Sequence, residues 1–262
     1  ENGASALWLL FVGREEKTKA MMFYRAPRQL KLPLGIVESP EFSPDGQLAF
    51  VASDANGEFR QLAVIDLESF RYQWLTANVP WDVTEIEVGP ETEGKYTVAY
   101  TVNENGASAL WLLFVGREEK TKAMMFYRAP RQLKLPLGIV ESLEFSPDGT
   151  QLGFTLSRPD GPSDVYSVNL AHNETPPAKQ QEEVARKDAG PALTRWTYSE
   201  VGGLDPAKFL VPERIEYLSF DGRKIPAYYY KPKSAAKDKP VPVLVSIHGG
   251  PESQYQPDFS PL

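Results

Sequence analysis

The stretch that decides the fold is Val37-Glu38-Ser39-Pro40-Glu41-Phe42-Ser43-Pro44-Asp45-Gly46, which continues as QLAFVASDANGEFRQLAVIDLESFRYQWLT over 47–76. Short apolar runs alternate with Gly, Pro, Asn and Asp punctuation, the pattern of antiparallel strands joined by tight turns. Ser43-Pro44-Asp45-Gly46 is a turn with a mechanism. Pro presets φ, Asp bonds to the backbone ahead, and Gly takes a positive φ. Four strands fit this unit: VESPEFS, QLAFVASD, RQLAVIDL and RYQWLT.

The same design recurs on the C-terminal side. A second unit reads VTEIEVG, KYTVAYTV, SALWLLFV and then either KAMMFYR or RQLKL, with VGPETEG at 88–94 as a looser form of the turn. A third reads VESLEFS, TQLGFTLS, SDVYSVNL and PALTRWT, again with Ser-Pro-Asp-Gly, at 146–149. Units of about 45–55 residues with four strands each predict propeller blades. A β-sandwich is the plainer alternative. The chain is therefore expected to be mainly β, a partial β-propeller of four-stranded blades over 1–211.

Residues 1–46 recur at 104–149 with a single difference, Pro40 against Leu143. Structural repeats keep pattern and lose identity, because each copy needs only the same turns and core face. Near-identity points to a recent duplication or a recombined assembly. After Gly46 and Gly149 the two copies continue differently but with the same strand-turn-strand design, so they part at a turn that blades can share.

The pattern changes near Pro212. ERIEYLSFDGRKIPAYYYKP reads as a hairpin about Asp221-Gly222. A basic, Pro-containing loop follows, and then VPVLVSI, an apolar run of the kind buried on both faces of a sheet. Residues 212–262 are expected to begin a second, α/β domain. The insertion at 171–190 is polar and Pro-flanked, and reads as a loop.

Composition narrows the function. The chain has 262 residues, a net charge of −7 and no cysteine. The acidic balance disfavours nucleic-acid or anionic-membrane partners. No apolar run approaches the length of a membrane span. Disulfide and thiolate chemistry are excluded, but the compartment, cytoplasmic or periplasmic, is not decided. Two distant histidines without cysteine make no metal-ligand cluster, and no Gly-rich phosphate loop is present, so neither metal nor cofactor is expected.

Three features together resemble the prolyl oligopeptidase family of serine peptidases, especially its acylaminoacyl-peptidase and dipeptidyl-peptidase-like branches. They are the FSPDG blades, the exit segment TRWTYSEVGGLDPAKFLVPERIEYLSFDGRKIPAYYYKP, and PVLVSIHGGPESQ. The resemblance implies a propeller of roughly seven or eight blades, capping an α/β-hydrolase domain that cleaves short peptides. Oligomerisation is compatible with it. By the same resemblance, His248-Gly249-Gly250-Pro251 is the oxyanion-hole segment, with the Gly250 N–H as donor. The chemistry needs glycine because backbone must approach the substrate carbonyl without a Cβ in the way.

Departures from the family pattern carry equal weight. The family's nucleophile lies in a G-x-S-x-G elbow downstream of this turn, with Asp and His later still, and no such elbow occurs here. Only about three and a half blades are present. The chain reads as a fragment whose nucleophile, acid and base lie beyond Leu262, and it is expected to be inert alone. The alternative is a non-catalytic propeller binding module with a vestigial hydrolase-like tail; an esterase with a different cap is a minor third.

Other candidates carry weaker signals. His248 is expected to brace its turn rather than act as a base, and His172 lies in the polar insertion. Glu200 and Asp205 could order a peptide amine, but surface solvation explains them better. The pair Glu15-Glu16, repeated as Glu118-Glu119, belongs to a charged turn. Trp8, Trp74, Trp81, Trp111 and Trp196 are expected to anchor blade cores.

Overall fold

The Ser-Pro-Asp-Gly turns form as their chemistry predicts. In the computed structural model the Gly46 and Gly149 φ angles are +67° and +68°. Asp45 Oδ1 accepts from the Gln47 N–H at 3.1 Å, and Asp148 Oδ1 from the Thr150 N–H at 3.0 Å. The structure describes residues 5–14, 21–30, 32–118, 120–121, 123–170, 193–236, 238, 240–250 and 253–259. The expected loop at 171–190, with His172, lies outside them, as do Glu15, Glu16, Glu119 and Pro251.

Each predicted four-strand unit is one antiparallel meander. Strands β3 (Val37–Phe42), β4 (Leu48–Ser53), β5 (Gln61–Asp66) and β6 (Tyr72–Trp74) pair in chain order. So do β7 (Val83–Val88), β8 (Lys95–Glu104), β9 (Ala107–Arg117) and β10 (Met124–Leu133). The third sheet is β11 (Ile139–Phe145), β12 (Gln151–Arg158), β13 (Gly161–Asn169) and β14 (Leu193–Arg195). The two candidates for the fourth strand of the second unit merge: β10 carries both, with register shifts between Phe126 and Arg128 and between Arg128 and Arg131.

Two flanking hairpins complete the fold. Among the described residues β1 (Trp8–Arg14) pairs only with β2 (Met21–Gln29), and β15 (Glu213–Leu218) pairs with β16 (Lys224–Tyr229) around Asp221-Gly222. The described residues contain no α-helix, only a 3₁₀ turn at Pro206–Lys208.

Alternating apolar residues on both faces of the middle sheet create two cores. Phe50, Leu62, Val83, Val98 and Leu113 belong to a cluster joining the first sheet to the second. Leu110, Leu112, Leu152, Phe154 and Leu156 belong to one joining the second to the third. The first strands of the three sheets, β3, β7 and β11, lie side by side. Each has a register shift, and Ser39 and Ser142 take the positive φ of bulge residues. The single difference between the repeat copies falls at this bulge: edge-strand Pro40 is exposed, whereas Leu143 is buried in the second core.

Two expectations are corrected. VPVLVSI forms no paired strand, and Val243, Leu244, Val245 and Ile247 are 82%, 92%, 75% and 83% exposed. A strand is stable only when neighbours take its N–H and C=O groups, and none of the described strands pairs with this segment. Trp74, Trp81 and Trp111 do pack against cores, but Trp8 and Trp196 are more than half exposed. Trp196 instead donates its indole N–H to Ser167 Oγ at 2.9 Å, lying over the last sheet.

Candidate functional site

The exit from the third sheet is pinned by one buried carboxylate. Asp164, on β13, is 2% exposed. It accepts from Thr197 Oγ1 at 2.8 Å, from the Ser199 N–H at 2.9 Å and from the Arg195 guanidinium. Burial by itself raises the Asp164 pKa, but these donors outweigh it and hold the carboxyl below its usual range. Arg195 also sits 4.5 Å over the Tyr198 ring. TRWTYS therefore leaves the third sheet in a fixed direction. The sequence reading used this segment for its resemblance and missed the carboxylate that holds it.

The hairpin β15–β16 then docks on the β8–β9 turn. Tyr228 donates its hydroxyl to the Asn105 carbonyl at 3.0 Å, and Arg214 donates to Asn105 Oδ1 at 2.7 Å. Gly106 has φ +87°, and a Cβ there would meet the Tyr255 carbonyl at 3.1 Å. Behind this contact is an open cleft of about 480 Å³, lined by Glu104, Ser108, Gln132, Lys134, Arg214 and Tyr228 among others. Phe259 closes against Phe209, ring centroids 5.4 Å apart, and donates its N–H to Ser157 Oγ at 3.2 Å.

The His248-Gly249-Gly250 turn lies on the exposed side of this C-terminal segment. Gly250 has φ +118°, a conformation that favours glycine. A Cβ on Gly249 would meet nothing within 4 Å. His248 Nδ1 lies 2.8 Å from the Gly249 carbonyl, so an Nδ1–H ring braces its own turn. No hydroxyl or carboxylate among the described residues engages that ring. The nearby hydroxyl, Ser246 Oγ, is hydrogen-bonded to Tyr255 at 2.6 Å instead. The described residues thus bring no nucleophile–base pair together.

The remaining candidates have structural explanations. Asp205 caps the 3₁₀ turn by accepting from the Ala207 N–H at 3.1 Å. Glu200 is exposed, and Glu118 accepts from the Thr121 hydroxyl within its own turn.

The sequence reading overlooked a set of neighbouring carboxylates on the three adjoining edge strands. Glu41, Glu87 and Glu144 lie next to last in β3, β7 and β11. Burial, then the charges of Glu144 and Glu41, push the Glu87 pKa up to about 7, although the Phe145 N–H donates to it. Burial and Glu144 raise Glu41 as well. The signal was present as the fifth residue of VESPE, VTEIE and VESLE.

No family model matches the chain. It is 23% identical over 123 residues to the uncharacterized peptidase YuxL of Bacillus subtilis (strain 168), covering 47% of this chain and 16% of that protein. Its fold matches puromycin hydrolase with a TM-score of 0.59 at 20% identity, over 89% of this chain and 32% of that one. It also matches prolyl oligopeptidase B from Galerina marginata, bound to a 35mer hydrolysis and macrocyclization substrate, with a TM-score of 0.53 at 16% identity. That match covers 86% of this chain and 27% of the other. The chain spans about a third or less of the length of these proteins. The resemblance to the prolyl oligopeptidase family of peptidases, first visible in FSPDG, the exit segment and the HGGP turn, extends to the fold of most of this chain.

Proposed function

We propose that these residues are part of a serine-type peptidase of the prolyl oligopeptidase family that hydrolyses short peptides, in the manner of acylaminoacyl- or dipeptidyl-peptidases. In this reading residues 1–211 are part of a β-propeller, and residues 212–262 begin the α/β-hydrolase domain. His248-Gly249-Gly250-Pro251 is the oxyanion-hole segment, and the Gly250 N–H stabilises charge developing on the substrate carbonyl oxygen. The serine that attacks, the histidine that takes its proton and the aspartate that orients the histidine lie outside these 262 residues.

The observation that carries this reading is an ordered succession. Three four-stranded meanders are followed by an exit segment clamped at Asp164, a hairpin docked on Asn105, and a Gly-Gly turn with positive φ. A binding module would account for the blades alone. It leaves the four exposed apolar residues of 243–247 without a purpose, whereas a hydrolase sheet would bury them.

The purified chain, treated with a fluorophosphonate probe and with aminoacyl ester and peptide substrates, is expected to show neither labelling nor turnover. Robust labelling would falsify the assignment of the nucleophile to residues outside this chain.

A further inference from the structure

Asn-Gly is the pair in which a side-chain amide is most open to attack by the backbone, because the residue after Asn carries no Cβ to keep its nitrogen away. The pair occurs three times, at 2–3, 56–57 and 105–106. Asn2-Gly3 lies outside the described residues. The other two sit in turns with opposite surroundings.

Asn56 and Gly57 are both exposed. Asn56 Nδ2 donates to Gln61 Oε1 at 2.9 Å, and the Gly57 N–H donates to the Asp54 carbonyl at 3.0 Å. Both bonds stay within the β4–β5 hairpin. A Cβ on Gly57 would meet Gln61 Nε2 at 3.8 Å.

Asn105-Gly106 joins β8 to β9 with φ angles of +57° and +87°, the type I′ pattern. The Gly106 N–H donates to Asn103 Oδ1 at 3.0 Å. A different element holds the asparagine: Arg214 donates to its Oδ1 and Tyr228 to its carbonyl. Gly106 is buried, and a Cβ there would meet the Tyr255 carbonyl at 3.1 Å and the Tyr228 hydroxyl at 3.3 Å. For the Gly106 nitrogen to reach the Asn105 side chain, its own hydrogen bond and the grip of Arg214 must both be released.

We propose that Asn105 is a deamidation site kept closed by the docked β15–β16 hairpin, whereas Asn56 is an open one. The Gly106 nitrogen gives its proton to hydroxide and bonds to Asn105 Cγ. The Cγ–Nδ2 bond breaks, and Nδ2 takes up a proton and leaves as ammonia. Water then opens the cyclic imide. Addition at Cγ leaves an aspartyl side chain. Addition at the main-chain carbonyl carbon routes the backbone through Cγ as isoaspartate. That second product adds a methylene to a two-residue turn and converts the acceptor of Tyr228 into a carboxylate off the main chain. An undocking of the hairpin that lasts long enough for this step thereby becomes permanent.

The 262-residue chain is incubated at mildly alkaline pH and digested at intervals, and the peptides carrying Asn56 and Asn105 are followed by mass spectrometry. Asn105 is expected to deamidate at least about tenfold more slowly than Asn56, the protection of a site that reacts only after local opening. In urea the two rates should converge. The double variant Arg214→Ala, Tyr228→Phe should speed Asn105 at least about tenfold and leave Asn56 unchanged, with Tyr228→Phe alone giving part of the increase. Three outcomes overturn the proposal: similar rates in the folded chain, a slow Asn105 that stays slow in urea, or an Asn105 rate indifferent to the double variant.

Discussion

Tyr96, 3% exposed on β8, donates its hydroxyl to Asp45 Oδ2 at 2.8 Å, so the Ser-Pro-Asp-Gly turn of the first sheet is bonded to the second strand of the next. Asp45 serves both its own turn, through Ser43 and Gln47, and its neighbour. Burial would raise its pKa, but these donors and the nearby Arg117 prevail and lower it. Tyr96→Phe is expected to cost about 1–2 kcal/mol, the worth of a hydrogen bond to a charged acceptor, read by urea denaturation. The contribution is present above the unfolded carboxylate pKa and is lost as pH falls through the lower folded value. The Tyr96→Phe deficit should therefore shrink in acid.

Glu87 acts in the opposite sense. Its folded pKa, about 7, stands above the ordinary carboxylate value, so the folded state holds its proton more tightly than the unfolded chain. Its contribution to stability is full below the unfolded pKa and is lost as pH rises towards and through 7. Glu87→Gln, neutral at every pH, should flatten the fall of thermal stability between pH 5 and 8. An unchanged slope would show that burial and the neighbouring Glu144 and Glu41 do not raise the Glu87 pKa in the folded state.

Asp164→Ala removes the acceptor that three donors share. A loss of about 2–4 kcal/mol is expected, the range for leaving buried polar and charged groups unpaired. Hydrogen exchange should locate the damage at 193–199, with the first sheet protected as before. Uniform deprotection would mean that the exit segment is not a separate element.

Gly106→Val tests the docking of the hairpin. It forces a β-branched residue to φ +87° and places its Cβ against the Tyr255 carbonyl. A destabilisation of at least about 1–3 kcal/mol is expected, with faster proteolysis between 213 and 259.

The three meanders were legible because turn chemistry and alternation point the same way. In β8 the side chains of Tyr96, Val98, Tyr100 and Val102 are all buried against the first core, as the sequence alternation requires. VPVLVSI stays unpaired because apolar content reports what a segment would bury, not whether a partner edge is at hand. Leu10 and Leu113 make the same point: one sequence takes one local conformation, and burial depends on what lies beside it. Glu87 escaped notice because an isolated glutamate on a strand looks solvated, and only the side-by-side packing of β3, β7 and β11 brings Glu41 and Glu144 to bear on it.

The central claim, that these residues belong to a serine peptidase, is tested most directly by reading the encoding frame through both copies of the repeat and past Leu262. The account predicts that the frame continues into a G-x-S-x-G elbow, followed by an Asp and then a His. A stop codon immediately after Leu262 would contradict it and leave a β-sheet binding module as the reading to pursue.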